Sequence, residues 1–375
     1  MRNDYVTQIY QSSIVFNRVK FGERSLSSFG LIFCLCALLF SACGGANTST
    51  TTADNPPQQP VNGFGTAQNH VHSFLSFPSN VLVLATHYGL FRSSNGGTNW
   101  TVTAAGPGQI MDGMMTFSLV SSPLNSQRLY VLTQPSINNP KGIQAIYTSS
   151  DQGVSWQMGV KTANIGDMYF VAAGNDSVDE VYTYVTREGA QGFKVSKDNS
   201  KHFTSPGPLP FGRILGMLAI PGAPGSLLIY SNDGVARSED GGAHWSTVQS
   251  VDGAVYSMTT SGPKQPIYAS GDAGIYSSQD GGKSFKLVYT SARYGALTAS
   301  PIQSQEIYGK TGRLIYKSAD GGHSWKTLPQ IKGNLESLTP DSADASRLYL
   351  ALSYPTEVYR YDQGHAAWVS LTPKA

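Results

Sequence analysis

An acidic motif recurs along the chain, and its residue types are those that acid–base or metal chemistry uses. In the copy SEDGGAHW, residues 238–245, two acids stand beside a histidine and a tryptophan. Paired carboxylates can act as general acid and base, and clustered carboxylates can bind a metal ion. Six copies share a Ser, an Asp or Asn two positions on, and a Trp or Phe seven positions on. The Asp or Asn positions are Asn95, Asp151, Asp198, Asp240, Asp280 and Asp320.

The spacing of the motif favours a structural role over a catalytic one. Successive copies begin 56, 47, 42, 40 and 40 residues apart, so each belongs to a separate unit and the carboxylates are too far apart to converge. Within a copy, the Asp or Asn can accept backbone N–H groups of its own turn, and the Ser hydroxyl can join them. Glycine supplies the positive φ that the turn needs. These glycines are Gly97, Gly153, Gly242, Gly282, Gly322 and, in a degenerate seventh copy, Gly364, and Ser200 is the exception.

His70 and His72 also have side chains that could do chemistry. Alternate residues of a strand point to the same face, so these two imidazoles could form a metal-binding pair. Two histidines fall short of a zinc site, and we identify no third ligand, so we predict no metal site and no cofactor. The chain also shows no phosphate-binding loop, no Ser/His/Asp arrangement and no redox cysteine pair.

The repeat length indicates which elements position these residues. A period near 40 residues is too long for one hairpin and fits a four-stranded blade of a β-propeller. Three short strands precede each motif and one follows it, as in VYSMTTS, PIYASG and GIYSS before residue 279. The outer strands alternate apolar and polar residues, as half-buried sheets do. With the degenerate copy at Arg360, the sequence predicts an all-β fold, a single seven-bladed β-propeller with four-stranded blades.

Composition and charge agree with this fold and exclude one class of partner. The 375 residues include 40 glycines, 20 tyrosines and only 13% charged residues, which suits short strands joined by tight turns. Beyond residue 42 the chain carries 22 basic and 22 acidic residues, with no run of Lys or Arg. A nucleic-acid-binding protein usually carries a basic patch. We therefore expect no nucleic-acid partner.

The repeated motif resembles the Asp-box, also called the BNR repeat. This repeat occurs in sialidases, in sortilin-type receptors, in some endoglucanases and in photosystem II assembly factors. The resemblance covers residues from about 64 to 370 and implies blades whose third and fourth strands are joined by structural Asp-box turns. These families share blades and not activities, so the resemblance leaves the function open.

Sialidase activity is one expectation that the resemblance raises. That family's site implies three arginines around a carboxylate, a tyrosine nucleophile with a glutamate partner, an acid aspartate and an early Arg-Ile-Pro signature. No Arg-Ile-Pro occurs here, and the nearest string, GRILG, lies in the middle of the chain. Arg213, Arg293 and Arg313 could supply three arginines, with Tyr294 nearby, but their spacing does not require it. Sialidases have six blades and the related endoglucanases pair two propellers around a cleft, whereas this chain is expected to form one propeller of seven blades.

The loops that lead into the innermost strands are the expected place for function, because they gather at the mouth of the central channel. Nearly every unit contributes one polar or charged side chain there. The candidates are His70, Asp112, Asp167, Arg213, Asp252, Arg293, Tyr294 and Glu336. Such a mixed ring could bind a polar partner such as a glycan or a peptide. The alternative is that these are ordinary solvated loop residues, as most charged residues are.

The first 60 residues read as an export signal followed by a tether. Residues 29–40, FGLIFCLCALLF, are too few for an ordinary membrane-spanning helix, which needs about 20 residues, and their pattern is typical of a signal peptide. The following LFSACGG resembles the lipobox of bacterial lipoproteins, which implies cleavage before Cys43 and lipid on that cysteine. An ordinary secretory cleavage site is the alternative. Residues 44–60 have too little apolar surface to fold.

We therefore expect a lipoprotein signal peptide at 1–42, a disordered tether at 43–62 and a propeller at 63–375. All three cysteines lie in the first 43 residues, so no disulfide is expected in the propeller. The predicted protein is exported and lipid-anchored on the outer face of a bacterial membrane. Its predicted function is non-catalytic binding or scaffolding of a protein partner through the propeller face. Carbohydrate binding is the alternative, and glycoside hydrolysis is the third hypothesis.

Overall fold

The structure, a computed structural model, describes residues 63–65, 67–136, 139–189, 191–291 and 294–373. The predicted signal peptide, the predicted tether with Cys43, and Arg293 lie outside these residues. The described residues form 27 strands and two single-turn 3₁₀ helices, Pro78–Asn80 and Thr162–Asn164. Within the same ranges, no helix is long and apolar enough to cross a membrane.

The strands form seven antiparallel sheets in chain order, which confirms the predicted all-β, seven-bladed propeller. Blade 1 consists of β1 Val71–Phe77, β2 Val81–Thr86, β3 Gly89–Ser93 and β4 Thr101–Thr103. Blade 2 consists of β5 Met114–Ser122, β6 Asn125–Pro135, β7 Ala145–Ser149 and β8 Gln157–Lys161. Blade 3 consists of β9 Gly166–Ala173, β10 Val181–Gly189 and β11 Gly192–Ser196. Blade 4 consists of β12 Gly216–Ala219, β13 Leu227–Ser231, β14 Gly234–Ser238 and β15 Ser246–Thr247. Blade 5 consists of β16 Val255–Thr260, β17 Ile267–Gly271, β18 Gly274–Ser278 and β19 Lys286–Tyr289. Blade 6 consists of β20 Ala296–Ala299, β21 Ile307–Thr311, β22 Leu314–Ser318 and β23 Lys326–Thr327. Blade 7 consists of β24 Asn334–Pro340, β25 Arg347–Ser353, β26 Glu357–Asp362 and β27 Ala367–Ser370.

Blade 3 departs from the four-stranded pattern. Its fourth strand is reduced to one bridge between Val195 and Thr204, whose backbone N–H groups donate to each other's carbonyls at 2.8 and 2.9 Å. The segment that follows contains Pro206, Pro208 and Pro210. Proline has no N–H to donate to a ladder, so this sequence cannot extend the strand.

The core lies between neighbouring blades. The second strand of each blade is sandwiched by the blades on either side, as in β2 and β13, where every residue is buried. Several of these strands carry a buried tyrosine whose hydroxyl reaches the next blade. Tyr130 donates to the Val178 carbonyl at 2.6 Å, and Tyr268 donates to the Ser304 carbonyl at 2.9 Å. These bonds join blade 2 to blade 3 and blade 5 to blade 6.

Among the described residues, the ring closes by packing between blades 7 and 1, without a shared strand. Each sheet contains only strands that are consecutive in sequence. The Phe74 ring meets the Tyr349 ring edge-on at 6.0 Å between centroids, and the Thr339 hydroxyl donates to the Phe74 carbonyl at 2.8 Å. The Trp100 indole N–H donates to the Leu371 carbonyl at 3.2 Å. Side-chain packing and a few hydrogen bonds therefore hold the first and last blades together.

The repeated motif forms the turn between the third and fourth strands. The Ser238 hydroxyl donates to Asp240 Oδ1 at 2.8 Å and accepts the Gly242 N–H at 2.9 Å. Asp240 Oδ1 also accepts the His244 N–H at 2.9 Å, and the Trp245 indole donates to the Gly242 carbonyl at 3.0 Å. Gly242 has a φ of 93°, which an L-residue rarely adopts. The same Ser-to-Asp or Ser-to-Asn bond recurs in all six copies.

Two positions of the turn differ from expectation. Ser200 takes the left-handed conformation itself, with φ of 61°. In the degenerate seventh copy Gly364 does not take a positive φ, so its predicted role is wrong. The inserted residue there moves the left-handed position to Ala366, with φ of 49°.

Candidate functional site

The seven inner strands surround a central channel with a volume of about 540 Å³. Side chains of every inner strand line it, mostly small polar and apolar ones such as Ser73, Ser118 and Thr259. A volume of this size is typical of ligand pockets, which span about 300–1,000 Å³. The histidine, lysine and carboxylate side chains on the wall are His72, Lys310 and Glu336. These three belong to blades 1, 6 and 7.

We use the term upper mouth for the end of the channel at which the inner strands begin. The antiparallel register puts the turn between the second and third strands at this end, because Val71 pairs with Thr86. The motif turns follow the third strands and so lie at the opposite end. The carboxylates of the motif and the residues of the mouth are therefore on different faces of the propeller.

The predicted mouth residues that the structure describes lie at or near the starts of inner strands, but they have different environments. Asp112 is exposed and accepts the Gly108 N–H at 2.7 Å, and Asp252 is exposed. Arg213 is exposed and its guanidinium lies 5.5 Å from the centroid of the Tyr169 ring. These charged groups form part of the solvent-facing surface.

Three other predicted residues are engaged within the fold or buried. Asp167 pairs with Arg187, with 2.9 Å between the carboxylate and guanidinium. Tyr294 is buried, with its ring 4.6 Å from that of Trp325 and 5.0 Å from that of Tyr316, so it is not part of the mouth surface. His70 is also buried.

The upper mouth contains a cluster of three histidines, and sequence reasoning missed its third member. His70 directly precedes β1, His72 lies within it, and His87 lies in the turn after β2. The pairing of β1 with β2 aligns them, and the His87 N–H donates to the His70 carbonyl at 3.1 Å. One ring nitrogen of each lies within 4.8 Å of the others. The hairpin register was the signal that could have identified His87.

Burial keeps these imidazoles neutral. It lowers the pKa of His70 to about 3, with a smaller contribution from His87. It lowers the pKa of His87 to about 4, although a hydrogen bond to the backbone of Gln68 raises it. The pKa of His72 is held well below its usual range by burial and by the other two rings. At neutral pH each ring is therefore uncharged, with one protonated nitrogen and one nitrogen that carries a lone pair.

Residues of blade 7 complete this region. The Tyr354 hydroxyl lies 2.6 Å from His70 Nδ1, and the Val71 N–H donates to the Ser353 hydroxyl at 2.8 Å. Burial raises the pKa of Glu336, opposed by Lys310 and by a hydrogen bond to Ser353. Burial lowers the pKa of Lys310 to about 8, and its ammonium donates to the carbonyls of Leu335 and Glu336 at 2.9 and 2.5 Å.

Large apolar side chains are exposed on the same face. Ile110 is 47% exposed, Ile143 is 45% exposed and Tyr354 is 44% exposed. The loops that carry the two isoleucines are joined, because the Asn139 amide donates to the Asp112 carbonyl at 2.9 Å. This face therefore combines apolar side chains with the charged groups of the mouth.

Comparison with known proteins supports the fold and does not identify a family. No protein-family model and no curated protein matches the chain. The solved structures that resemble it include the GH74 enzyme of Niastella koreensis, with a TM-score of 0.62 at 15% identity. The GH74 xyloglucanase of Xanthomonas campestris has a TM-score of 0.61 at 16% identity. The similarity covers 82% and 84% of this chain, which spans only 55% of the length of either enzyme.

YCF48 bound to D1 peptide has a similar structure over nearly its whole length. Its TM-score is 0.55 at 13% identity, and the match covers 81% of this chain and 94% of that chain. YCF48 from Cyanidioschyzon merolae has a TM-score of 0.54 at 13% identity, over 78% and 94% of the two chains. At identities this low, the structural similarity establishes a shared propeller fold alone.

Proposed function

We propose that this chain is a non-catalytic binding protein that holds a protein partner against its upper mouth. The observation that carries the proposal is the exposed apolar set Ile110, Ile143 and Tyr354 on the face that also presents Arg213 and Asp252. Aromatic and aliphatic anchors surrounded by charged groups are the usual composition of a protein-binding surface.

The arrangement of the carboxylates supports binding over hydrolysis. Glycoside hydrolysis usually needs two carboxyl groups about 5–10 Å apart across a substrate. The motif carboxylates are each bonded within their own turns at the opposite face, and Asp167 at the mouth is paired with Arg187. These groups are therefore occupied by structural contacts.

Structural similarity to a peptide-binding propeller adds support. YCF48 has been solved with D1 peptide bound, and this chain matches 94% of that protein's length. By analogy, a segment of a partner protein would lie across the upper mouth of this chain.

The proposal includes display on the outer face of a bacterial membrane through a lipid on Cys43. The sequence supports it with a short apolar segment, the lipobox-like LFSACGG and a tail with a single charge before the first blade. We also propose that the seven repeated units are Asp-box repeats, because their motif resembles the Asp-box. Labelling of cells with a radioactive fatty acid should mark the wild type and not Cys43→Ala. Labelling that survives the substitution contradicts the anchor.

A capture experiment with variants of opposite faces tests the binding function. The double variant Ile110→Asp and Ile143→Asp places two charges on the upper mouth. The matched control is Leu124→Asp and Ile302→Asp, because those side chains are each 46% exposed and lie in loops at the opposite face. We expect wild type and control to retain the same protein from envelope extracts, and the mouth variant to lose it by at least about tenfold, since interface anchors contribute over 1 kcal/mol each.

Carbohydrate binding is the second candidate, favoured by the similarity of 84% of this chain to a GH74 xyloglucanase. This chain spans about half of that enzyme's length, so an activity that needs the whole enzyme is not implied. Incubation with xyloglucan and with fluorogenic sialosides separates the two candidates. Turnover, or glycan binding that the mouth variant abolishes, would replace protein binding as the function.

A further inference from the structure

The three histidines of the upper mouth have the chemistry of a metal site. His70 and His72 are 3% and 8% exposed, and the Nε2 atom of each is buried without a hydrogen-bond partner. A buried polar atom without a hydrogen-bond partner is energetically unfavourable. Two such atoms in one cluster with a third imidazole point to a ligand that accepts lone pairs.

Contacts around the rings select which nitrogens are available. Tyr354 holds His70 by its Nδ1 at 2.6 Å, which leaves Nε2 as the ligand atom. The backbone of Gln68 hydrogen-bonds one nitrogen of His87. Histidine ligands in metal sites are typically fixed in this way through their second nitrogen. Tyr354 and Gln68 would thus act as positioning residues.

Distance and access fit a single ion. The three nitrogens lie within 4.8 Å of one another. In a tetrahedral zinc site with Zn–N bonds of about 2.0–2.1 Å, ligand nitrogens are about 3.3 Å apart. Binding would therefore draw the three nitrogens together and spread the rings, whose centroids are 3.4 Å apart for His70 and His87. His87 is only half-buried and provides a route of entry, while Phe117 packs edge-on to His72, with 6.2 Å between ring centroids.

We propose that His70, His72 and His87 bind one Zn²⁺ ion at the junction of blades 1 and 7. Imidazole nitrogen is a preferred ligand of zinc, and three histidines are a known complete protein set. The fourth position would be filled by water or by a group from the partner. Because Tyr354 belongs to blade 7, the ion would also stiffen the closure of the ring.

Zinc titration of the full, metal-stripped chain against a chromophoric chelator tests this proposal. We expect one Zn²⁺ per chain with a Kd below about 1 µM, and a Kd at least about 100-fold higher in His87→Gln, which removes one ligand. His244→Gln is the matched control. It also removes one imidazole, but from an exposed pair with Asp240, and it should leave the Kd unchanged.

Zinc K-edge X-ray absorption of the zinc-loaded wild type tests whether three imidazoles bind the ion, even if His87→Gln does not fold. The expected spectrum contains three imidazole nitrogens at about 2.0–2.1 Å. A carboxylate-dominated spectrum, a titration without stoichiometric binding, or equal affinity in His87→Gln would each overturn the proposal. Loss of binding in His244→Gln would instead assign the ion to the exposed His–Asp pair.

Discussion

At the scale of single residues, the repeated acid stabilises a turn. Asp240 Oδ1 accepts the Ser238 hydroxyl and the His244 N–H. Blade 1 makes the same bonds with an amide, because Asn95 Oδ1 accepts the Ser93 hydroxyl at 3.0 Å and the Asn99 N–H at 2.9 Å. The turn therefore requires a side-chain oxygen and not a negative charge.

Substitution of Asp240 separates the hydrogen bonds from the charge. Asp240→Ala removes both bonds and should lower the free energy of unfolding by about 1–2 kcal/mol, the usual cost of a lost cap or turn. Asp240→Asn should retain most of that stability at pH 7, as Asn95 does naturally. Urea denaturation measures both variants. An Asp240→Asn variant as unstable as Asp240→Ala would show that the charge is essential.

The contact between Asp240 and His244 makes the stability of the protein depend on pH. Hydrogen bonds from His244 lower the pKa of Asp240 to about 2, below its ordinary value near 4. Because the folded state binds the proton less tightly than the unfolded state, the carboxylate's contribution is complete above about pH 4 and is lost as the pH falls to about 2. The stability difference between wild type and Asp240→Ala should therefore shrink over this range. A difference that stays constant with pH would show that the His244 hydrogen bonds do not lower this pKa.

At the scale of strands and blades, local patterns in the sequence predicted most of the fold. The period near 40 and the Ser, Asp and Gly spacing predicted seven blades, because each unit repeats the same local turn chemistry. The fourth strand of blade 3 was not predictable from the repeat alone, since Pro206, Pro208 and Pro210 override it. His87 also was missed, because its position depends on the pairing of β1 with β2.

Ring closure was not predictable from sequence, because it depends on contacts between residues far apart in the chain. Phe74 packs on Tyr349 across the closure and is 4% exposed. Phe74→Ala should destabilise the protein by about 3–5 kcal/mol, as other buried phenylalanine truncations do. In hydrogen-exchange measurements, the exchange rates of backbone amides should increase most in β1 and β24.

Phe193→Ala is the matched control for the closure. Phe193 is 2% exposed and stacks on Tyr182 within blade 3, so its loss should raise exchange in blades 3 and 4. If Phe74→Ala raised exchange uniformly around the ring, the closure would not be a separate structural unit. The contacts between blades 7 and 1 would then open only together with the rest of the propeller.

At the scale of the whole molecule, the two faces of the propeller carry different side chains. The lower face carries the motif turns, whose carboxylates are bonded internally. The upper mouth carries Ile110, Ile143 and Tyr354, the charged loop residues and the histidine cluster. Its candidate residues were only partly predictable, because burial of Tyr294 and His70 depends on packing that the sequence does not state.

Site-specific photo-crosslinking in intact cells tests the role of the upper mouth most directly. A photoreactive residue would replace Ile110 in one chain and Ile302 in another, two side chains with nearly equal exposure on opposite faces. We predict that the probe at 110 crosslinks one protein partner and that the probe at 302 does not. A partner captured from position 302 and not from 110 would contradict binding at the upper mouth.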